Sequence, residues 1–68
     1  GKGYAREAAR AALAFGHRAG LARIIAVARD ENVASCAVLS DIGMTQAGEF
    51  RHQGHRMMMF ESLAPSAG

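Results

Sequence analysis

Apolar residues recur along the chain in five blocks, which predict the order helix, strand, helix, strand, strand. The first block, Tyr4 to Arg18, is rich in alanine, the strongest helix former. Ala8, Ala12 and Phe15 mark its expected buried face. Gly20 follows at a position where a glycine can end a helix in the left-handed conformation. The alanine-rich side predicts close packing of this helix against a sheet.

The second block, Leu21–Ala28, predicts a strand. Its centre, Ile24–Ala28, is apolar without alternation, which is typical of a strand buried on both faces between two neighbours. The chain supplies few other strands, so we expect one edge of this strand to remain open. An open edge can pair with another chain, which makes a homo-oligomer a possible assembly.

A polar turn precedes the second helical block. Asp30 and Asn32 are both candidates for its N-cap. Asn32 and Ser35 lie three apart, so near a helix start they share one face, and capping is the simplest interpretation of the pair. Gly43 is expected to end this helix. The expected buried face consists of Ala34, Val38, Leu39 and Ile42.

Two further apolar blocks, Met44–Phe50 and Met57–Phe60, predict an antiparallel hairpin. The polar connection between them contains Gly54, which suits a turn. Gly48, inside the first of these blocks, predicts a β-bulge or a close backbone approach.

The length of 68 residues allows one domain at most. Half of the residues are hydrophobic, which excludes a disordered segment. We predict an α+β fold, within the broad α/β class, with a mixed sheet over residues 1–61. Residues 62–68, with Pro65, are predicted to form a flexible tail.

The formal net charge of +2 favours anionic partners only mildly. A basic run is absent and aromatic residues are few, which argues against nucleic acid. No apolar run is long enough to span a membrane, so we expect no membrane partner. Cys36 is the only cysteine, so an internal disulfide cannot form. This composition fits a reducing compartment, and we expect a cytoplasmic location.

The first five residues, Gly1-Lys2-Gly3-Tyr4-Ala5, lead directly into the first helix. Glycines permit close approach of a ligand, and a helix start offers unpaired N–H groups and a positive dipole end. The stretch therefore predicts an anion site, most naturally for phosphates. Lys2, Arg6 and Arg10 crowd this helix start, where cations are unfavourable, and a bound polyanion would offset that cost. A glycine-rich turn with solvated arginines explains the same residues equally well.

Other candidate sites have less support. His52 and His55 are close in sequence, but their loop has no cysteine and only His17 could join them, so we expect solvated histidines and no metal. The methionines at 57–59 predict core packing rather than a ligand surface. Cys36 is expected to be a small buried residue.

Taken together, these segments resemble the C-terminal half of a domain of the GNAT superfamily of N-acetyltransferases. The most similar branch is the RimJ/RimL type, which acetylates protein N-termini or small amines. Gly1–Ala5 resembles the acetyl-CoA loop of that family, with Gly3 and Ala5 in the last two places of its Q/R-x-x-G-x-G/A signature. Glu31–Ser35 resembles its N-x-x-S helix, and Ile42–Met44 resembles its closing L-G-F/M turn.

The resemblance implies a reaction and a set of site residues. The parent domain would transfer an acetyl group from acetyl-CoA to a primary amine by direct attack, without a metal or a covalent enzyme intermediate. Backbone amides of the opening loop would hold the pyrophosphate, and Asn32 would bind the pantetheine arm. Ser35 would be the catalytic residue that helps to protonate the leaving thiolate. The implied cofactor-binding residues are Gly1, Lys2, Gly3, Tyr4, Ala5, Arg6 and Asn32.

The resemblance also implies that part of the family domain precedes this sequence. The first residue of the signature would fall before Gly1, and much of the acceptor site would lie in the absent half. We therefore expect residues 1–68 alone to be inactive as a transferase. The alternative is a non-catalytic module that binds phosphate or coenzyme A through the same loop, or that self-associates through Leu21–Ala28.

Overall fold

Two helices and three strands follow one another in the predicted order, and the predicted C-terminal hairpin is confirmed. The computed structural model describes residues 2–65; Gly1 and residues 66–68 lie outside the described residues. The elements are α1 (Lys2–Arg18), β1 (Arg23–Arg29), α2 (Val33–Asp41), β2 (Thr45–His52) and β3 (His55–Leu63). Neither helix is long and apolar enough to cross a membrane, within the part of the chain that is described.

The strands form one sheet in the order β1-β3-β2. Both pairings are antiparallel, so the expected mixed sheet is wrong for residues 2–65. The pairing of β2 with β3 shifts between Gln46 and Gly48, which confirms the predicted bulge. Gln53 and Gly54 form the tight turn of this hairpin, with φ angles of 51° and 79°. Positive φ at both central residues is the hairpin geometry that matches the twist of the strands.

Strand β1 is an edge strand of the described sheet, because β3 is its only partner there. Its exposure alternates: Ala28 is buried and Ala26 half-buried, whereas Ile25 and Val27 are 42% and 45% exposed. The prediction of a strand buried on both faces is therefore wrong for this part of the chain, since both helices pack on the same face. The expected open edge is present along β1.

The core lies between that face of the sheet and the two helices. Its buried residues are Met44, Met58 and Phe60, against which Leu13 and Leu39 pack. Met58 confirms the core assignment of the methionine run, but Met57 and Met59 point to the other face, as alternation along β3 requires. Cys36 is only half-buried at the edge of this core.

The face of α1 that packs against the sheet differs from the predicted one. Ala8, Ala12 and Phe15 are exposed, Phe15 by 71%. Leu13 and Gly16 face inward instead. Alanine occupies all sides of this helix, so the pattern could not distinguish its faces. A Cβ at Gly16 would lie 2.7 Å from Ile24 Cδ1, so a larger residue there would require the Ile24 side chain to move.

Both helices end in the same glycine motif, as predicted for Gly20 and Gly43. The Leu21 N–H donates to Gly16 O at 3.0 Å, and the Gly20 N–H donates to His17 O at 3.1 Å. The φ of Gly20 is +99°, in the region that penalises a Cβ. This motif satisfies carbonyl groups that the end of α1 would leave without partners.

The buried face of α2 and the start of the C-terminal tail both differ from the prediction. Val38 and Leu39 of α2 and its C-cap Ile42 are half-buried, but Ala34 is exposed because none of the described elements covers it. The predicted tail start at position 62 is wrong, since β3 extends to Leu63 and the Ala64 N–H donates to Ala22 O at 2.8 Å.

His17 ties the end of α1 to the connection before β1 and to strand β3. Its Nδ1 lies 2.8 Å from Leu21 O, and its Nε2 lies 2.9 Å from Ser62 Oγ. The Leu21 carbonyl can only accept, so Nδ1 carries the hydrogen. Both ring nitrogens are thus engaged, which leaves His17 no free position for a metal.

Glycine at the end of α1 has a conformational role that glycine inside its first turn lacks, and substitution of Gly20 and of Gly3 should show the difference. We expect Gly20→Ala to lower the free energy of unfolding by about 1 kcal/mol, because alanine must then adopt a left-handed conformation. Gly3 has no positive φ, and no atom lies within 4 Å of the position that a Cβ would take there, so Gly3→Ala should not destabilise the protein. Urea unfolding of the intact protein measures both; equal losses would contradict the helix-end assignment.

Candidate functional site

A groove runs along the open edge of β1. It contacts four consecutive residues of that strand, Ala26–Arg29, and has a volume of about 960 Å³. Successive strand residues point to opposite faces, so a cavity that contacts all four must lie at the edge of the strand. The other lining residues are Ala5 of α1, Met57 of β3, and Asn32, Ala34, Ser35, Val38 and Leu39 around α2.

The start of α1 lies at one side of this groove, where Ala5 contributes to the wall. Helix α1 begins at Lys2, so the predicted loop at residues 2–5 is in fact the first helical turn. The turn contains no acidic residue, and Gly3, Tyr4 and Ala5 are exposed. The first four N–H groups of a helix have no partner within it. The predicted anion site would therefore use amides of the helix start instead of amides of a loop.

The Arg6 side chain does not reach into the groove but pairs with Asp41 at the other end of α2. Arg6 Nε and Nη2 lie 2.8 Å and 2.6 Å from Asp41 Oδ2. Each charge sits at a helix end whose dipole disfavours it, a base at the start of α1 and an acid at the end of α2. The pair resolves both conflicts, so Arg6 does not need a bound polyanion to offset its charge.

Asn32 and Ser35 lie together on the α2 wall of the groove. Asn32 is the N-cap of α2, and its Oδ1 accepts a hydrogen bond of 3.1 Å from the Ser35 N–H. The capping interpretation of this pair is therefore confirmed. The Asn32 amide nitrogen and the Ser35 hydroxyl make no hydrogen bond within residues 2–65, so both can meet a ligand there.

A charged cluster lies beside the groove, where the β2–β3 turn meets the residues before α2. Arg56 pairs with Asp30 and Glu49, and His55 pairs with Glu31. The hydrogen bond to Glu49, with the charges of Glu49 and Asp30, raises the pKa of the Arg56 guanidinium above its ordinary value. No group of three or more His, Cys, Asp or Glu side chains is arranged to hold a metal ion in the described part of the chain.

The sequence of α1, β1 and α2 matches a known protein family. The model of the acetyltransferase (GNAT) domain matches residues 1–45, which include α1, β1 and α2. The chain belongs to the GNAT acetyltransferase family. The predicted superfamily is thereby confirmed.

Solved GNAT structures share the fold of this chain. An acetyltransferase of the GNAT family from Bacillus anthracis is 37% identical, with a TM-score of 0.82 over 93% of this chain. A protein from Bordetella pertussis assigned to the same family is 26% identical, with a TM-score of 0.76 over 90% of this chain. The chain spans 42% and 37% of the lengths of these two proteins. No curated protein matches the chain.

The structure brings some of the predicted GNAT site residues together and separates others. Ala5, Asn32 and Ser35 line one groove. Tyr4 lies in the first turn of α1, is 82% exposed and does not line the groove. Lys2 begins α1, and the prediction for Gly1 falls outside the described residues. Sequence reasoning missed Asp41 as the partner of Arg6.

Substitution of Asn32 should reveal its capping role without any ligand. We expect Asn32→Ala to lower the free energy of unfolding by about 1 kcal/mol, because the Ser35 amide loses its acceptor. Asn32→Asp keeps an acceptor at the same place and should retain the stability of the wild type. Chemical unfolding of the intact protein measures both variants, and a loss of equal size in each would contradict the capping role.

Proposed function

We propose that residues 1–61 form the coenzyme-binding C-terminal half of a RimJ/RimL-like N-acetyltransferase. Its donor substrate is acetyl-CoA, and its acceptor is a primary amine of a protein N-terminus or a small molecule. The observation that supports this most is the groove, which joins a helix start, an open strand edge and the Asn32–Ser35 pair. The proposed location is the cytoplasm, whose reducing conditions suit the free thiol of Cys36.

The pyrophosphate is proposed to bind at the start of α1. The amides of Gly3 and Tyr4 belong to the first turn of α1, where N–H groups have no partner within the helix and the helix dipole favours negative charge. Those of Gly1 and Lys2 would extend the same set of donors. The Lys2 ammonium would add charge, whereas Arg6 is already paired with Asp41. Recognition of the phosphates therefore depends mainly on backbone donors.

The pantetheine arm is proposed to follow the open edge of β1. The groove walls are largely apolar there, with Val38 and Leu39 on one side and Ala26 and Val27 on the other. The amide nitrogen of Asn32 can donate to a carbonyl of the arm while its oxygen caps α2. Unpaired N–H groups of an open strand edge can also donate to the arm and polarise the thioester carbonyl.

The proposed reaction is direct transfer. The acceptor nitrogen attacks the acetyl carbonyl carbon, the carbon–sulfur bond breaks, and the nitrogen loses a proton to a base or to water. The thiolate takes a proton through the hydroxyl of Ser35, which lies on the groove wall. Positioning of the two substrates supplies most of the acceleration, so no covalent intermediate is needed. Residues 1–68 by themselves are proposed to be inactive, because the groove lies along a β1 edge that has no neighbouring strand in the described sheet.

Substitution at Gly3 tests the phosphate site. We expect Gly3→Leu to abolish detectable acetyl-CoA binding by calorimetric titration of the intact protein, since a bulky side chain would occupy the space proposed for the phosphates. No heavy atom beyond the adjacent helix backbone lies within 4 Å of the position that a Cβ would take at Gly3, so the fold should tolerate the change.

Ala12→Leu is the matched control for Gly3→Leu. It adds the same side chain to the same helix on an exposed face, away from the groove. It should bind acetyl-CoA as the wild type does. Wild-type affinity in Gly3→Leu, or no binding by the wild type itself, would contradict the proposal.

The open edge of β1 favours a second candidate, self-association. The strand presents unpaired backbone groups and the half-exposed side chains of Ile25 and Val27. A second copy could pair with this edge and supply the neighbour that β1 lacks. Light scattering of residues 1–68 should then show a dimer. Val27→Pro, which removes a backbone donor from β1, should dissociate this dimer. A monomer across the micromolar range would exclude it.

A further inference from the structure

The tip of the β2–β3 hairpin is attached to the connector, residues 30–32, which joins β1 to α2. The Asp30 N–H donates to Arg56 O at 2.8 Å. Arg56 Nη1 also lies 3.6 Å from Asp30 Oδ2. The same residue of β3 therefore holds Asp30 through its backbone and through its side chain.

A residue of β2 fixes the orientation of the Arg56 guanidinium. Arg56 Nε donates to Glu49 Oε2 at 2.6 Å, and Nη2 contacts the same oxygen. The guanidinium fork is planar and rigid, so two contacts on one edge determine where the remaining nitrogen points. That nitrogen, Nη1, is the one directed at Asp30. The row Glu49–Arg56–Asp30 thus runs from the sheet to the connector.

The other acid of the connector is held in a similar way. His55 Nδ1 lies 3.3 Å from Glu31 Oε1, and Arg29 Nη1 lies 3.5 Å from the same oxygen. Arg29 also lines the groove. Both acids of the connector therefore face bases, and the residue that follows them is Asn32, the N-cap of α2.

We propose that Arg56 is a positioning residue for the groove. Arg56 holds the connector so that the Asn32 amide faces the bound substrate. The identity of that substrate rests on the proposed function. Arg56 does not line the groove itself and acts only through Asp30 and the connector. Its partners are exposed, so the effect on affinity is modest, about threefold to fivefold.

Calorimetric titration of the intact protein with acetyl-CoA tests the proposal with two variants. Arg56→Gln and Asp30→Asn should each weaken binding by about threefold to fivefold, and the double variant should lose little more, because both remove the side-chain contact between Arg56 and Asp30. Asp30→Asn is decisive. Loss of an acid would strengthen the binding of a polyanion if only long-range charge mattered, whereas loss of the contact weakens it.

Arg51→Gln is the matched control. Arg51 lies on the same hairpin, and its guanidinium donates at 3.5 Å to Gly54 O within the turn rather than to the connector. It removes the same charge as Arg56→Gln and should leave the affinity within about twofold of the wild type. Equal losses in the two arginine variants, or tighter binding by Asp30→Asn, would overturn the proposal.

Hydrogen exchange of the ligand-free protein provides a readout that does not depend on acetyl-CoA. The Ser35 amide, which donates to Asn32 Oδ1, should exchange about threefold to fivefold faster in Arg56→Gln and Asp30→Asn but not in Arg51→Gln. Unchanged exchange in the first two variants would refute the positioning role of Arg56. If acetyl-CoA failed to bind the wild type while exchange still became faster in Arg56→Gln and Asp30→Asn, the proposed function would fail and the positioning role of Arg56 would stand.

Discussion

One edge of β1 has no neighbouring strand in the described sheet, and the positions of both helices and of the groove follow from it. Strand β3 occupies the other edge, and both helices pack on one face of the sheet. Backbone N–H and C=O groups that are buried without partners cost about 1–3 kcal/mol each, so this edge has to face water, a ligand or another strand. Helices α1 and α2 flank the edge without covering it, and the groove is the space that remains. An extended substrate with amide groups would satisfy the same backbone groups that a neighbouring strand would.

The ends of the two helices determine the electrostatics of that groove. The start of α1 carries an excess of basic residues, and Asp41 brings an acid to the same place by pairing with Arg6. This pair connects the two helices, and it neutralises the charge of Arg6 at the start of α1. The attraction for anions that we propose there comes mainly from backbone amides and the helix dipole, which have fixed directions. Binding by such donors depends on the shape of the ligand more than on its total charge, which suits one defined phosphate group better than an extended polyanion.

Local signals in the sequence predicted much of this architecture. The element order, the glycine ends of both helices, the bulge near Gly48 and the hairpin all depend on residues close in sequence. The inward face of α1 could not be predicted, because alanine surrounds the helix. The apolar run in β1 could not show on which side its neighbours lie. The contacts Arg6–Asp41 and Arg56–Asp30 join residues far apart in sequence, and no local pattern indicates them.

A crystal structure of the intact protein with acetyl-CoA is the critical experiment. We expect pyrophosphate oxygens within hydrogen-bond distance of amides in the first turn of α1, such as those of Gly3 and Tyr4, with the pantetheine arm along β1 between Ala26 and Arg29. Coenzyme bound elsewhere would contradict this expectation. A strand of the same protein paired along the full length of this edge of β1 would contradict it as well, since no groove would then remain.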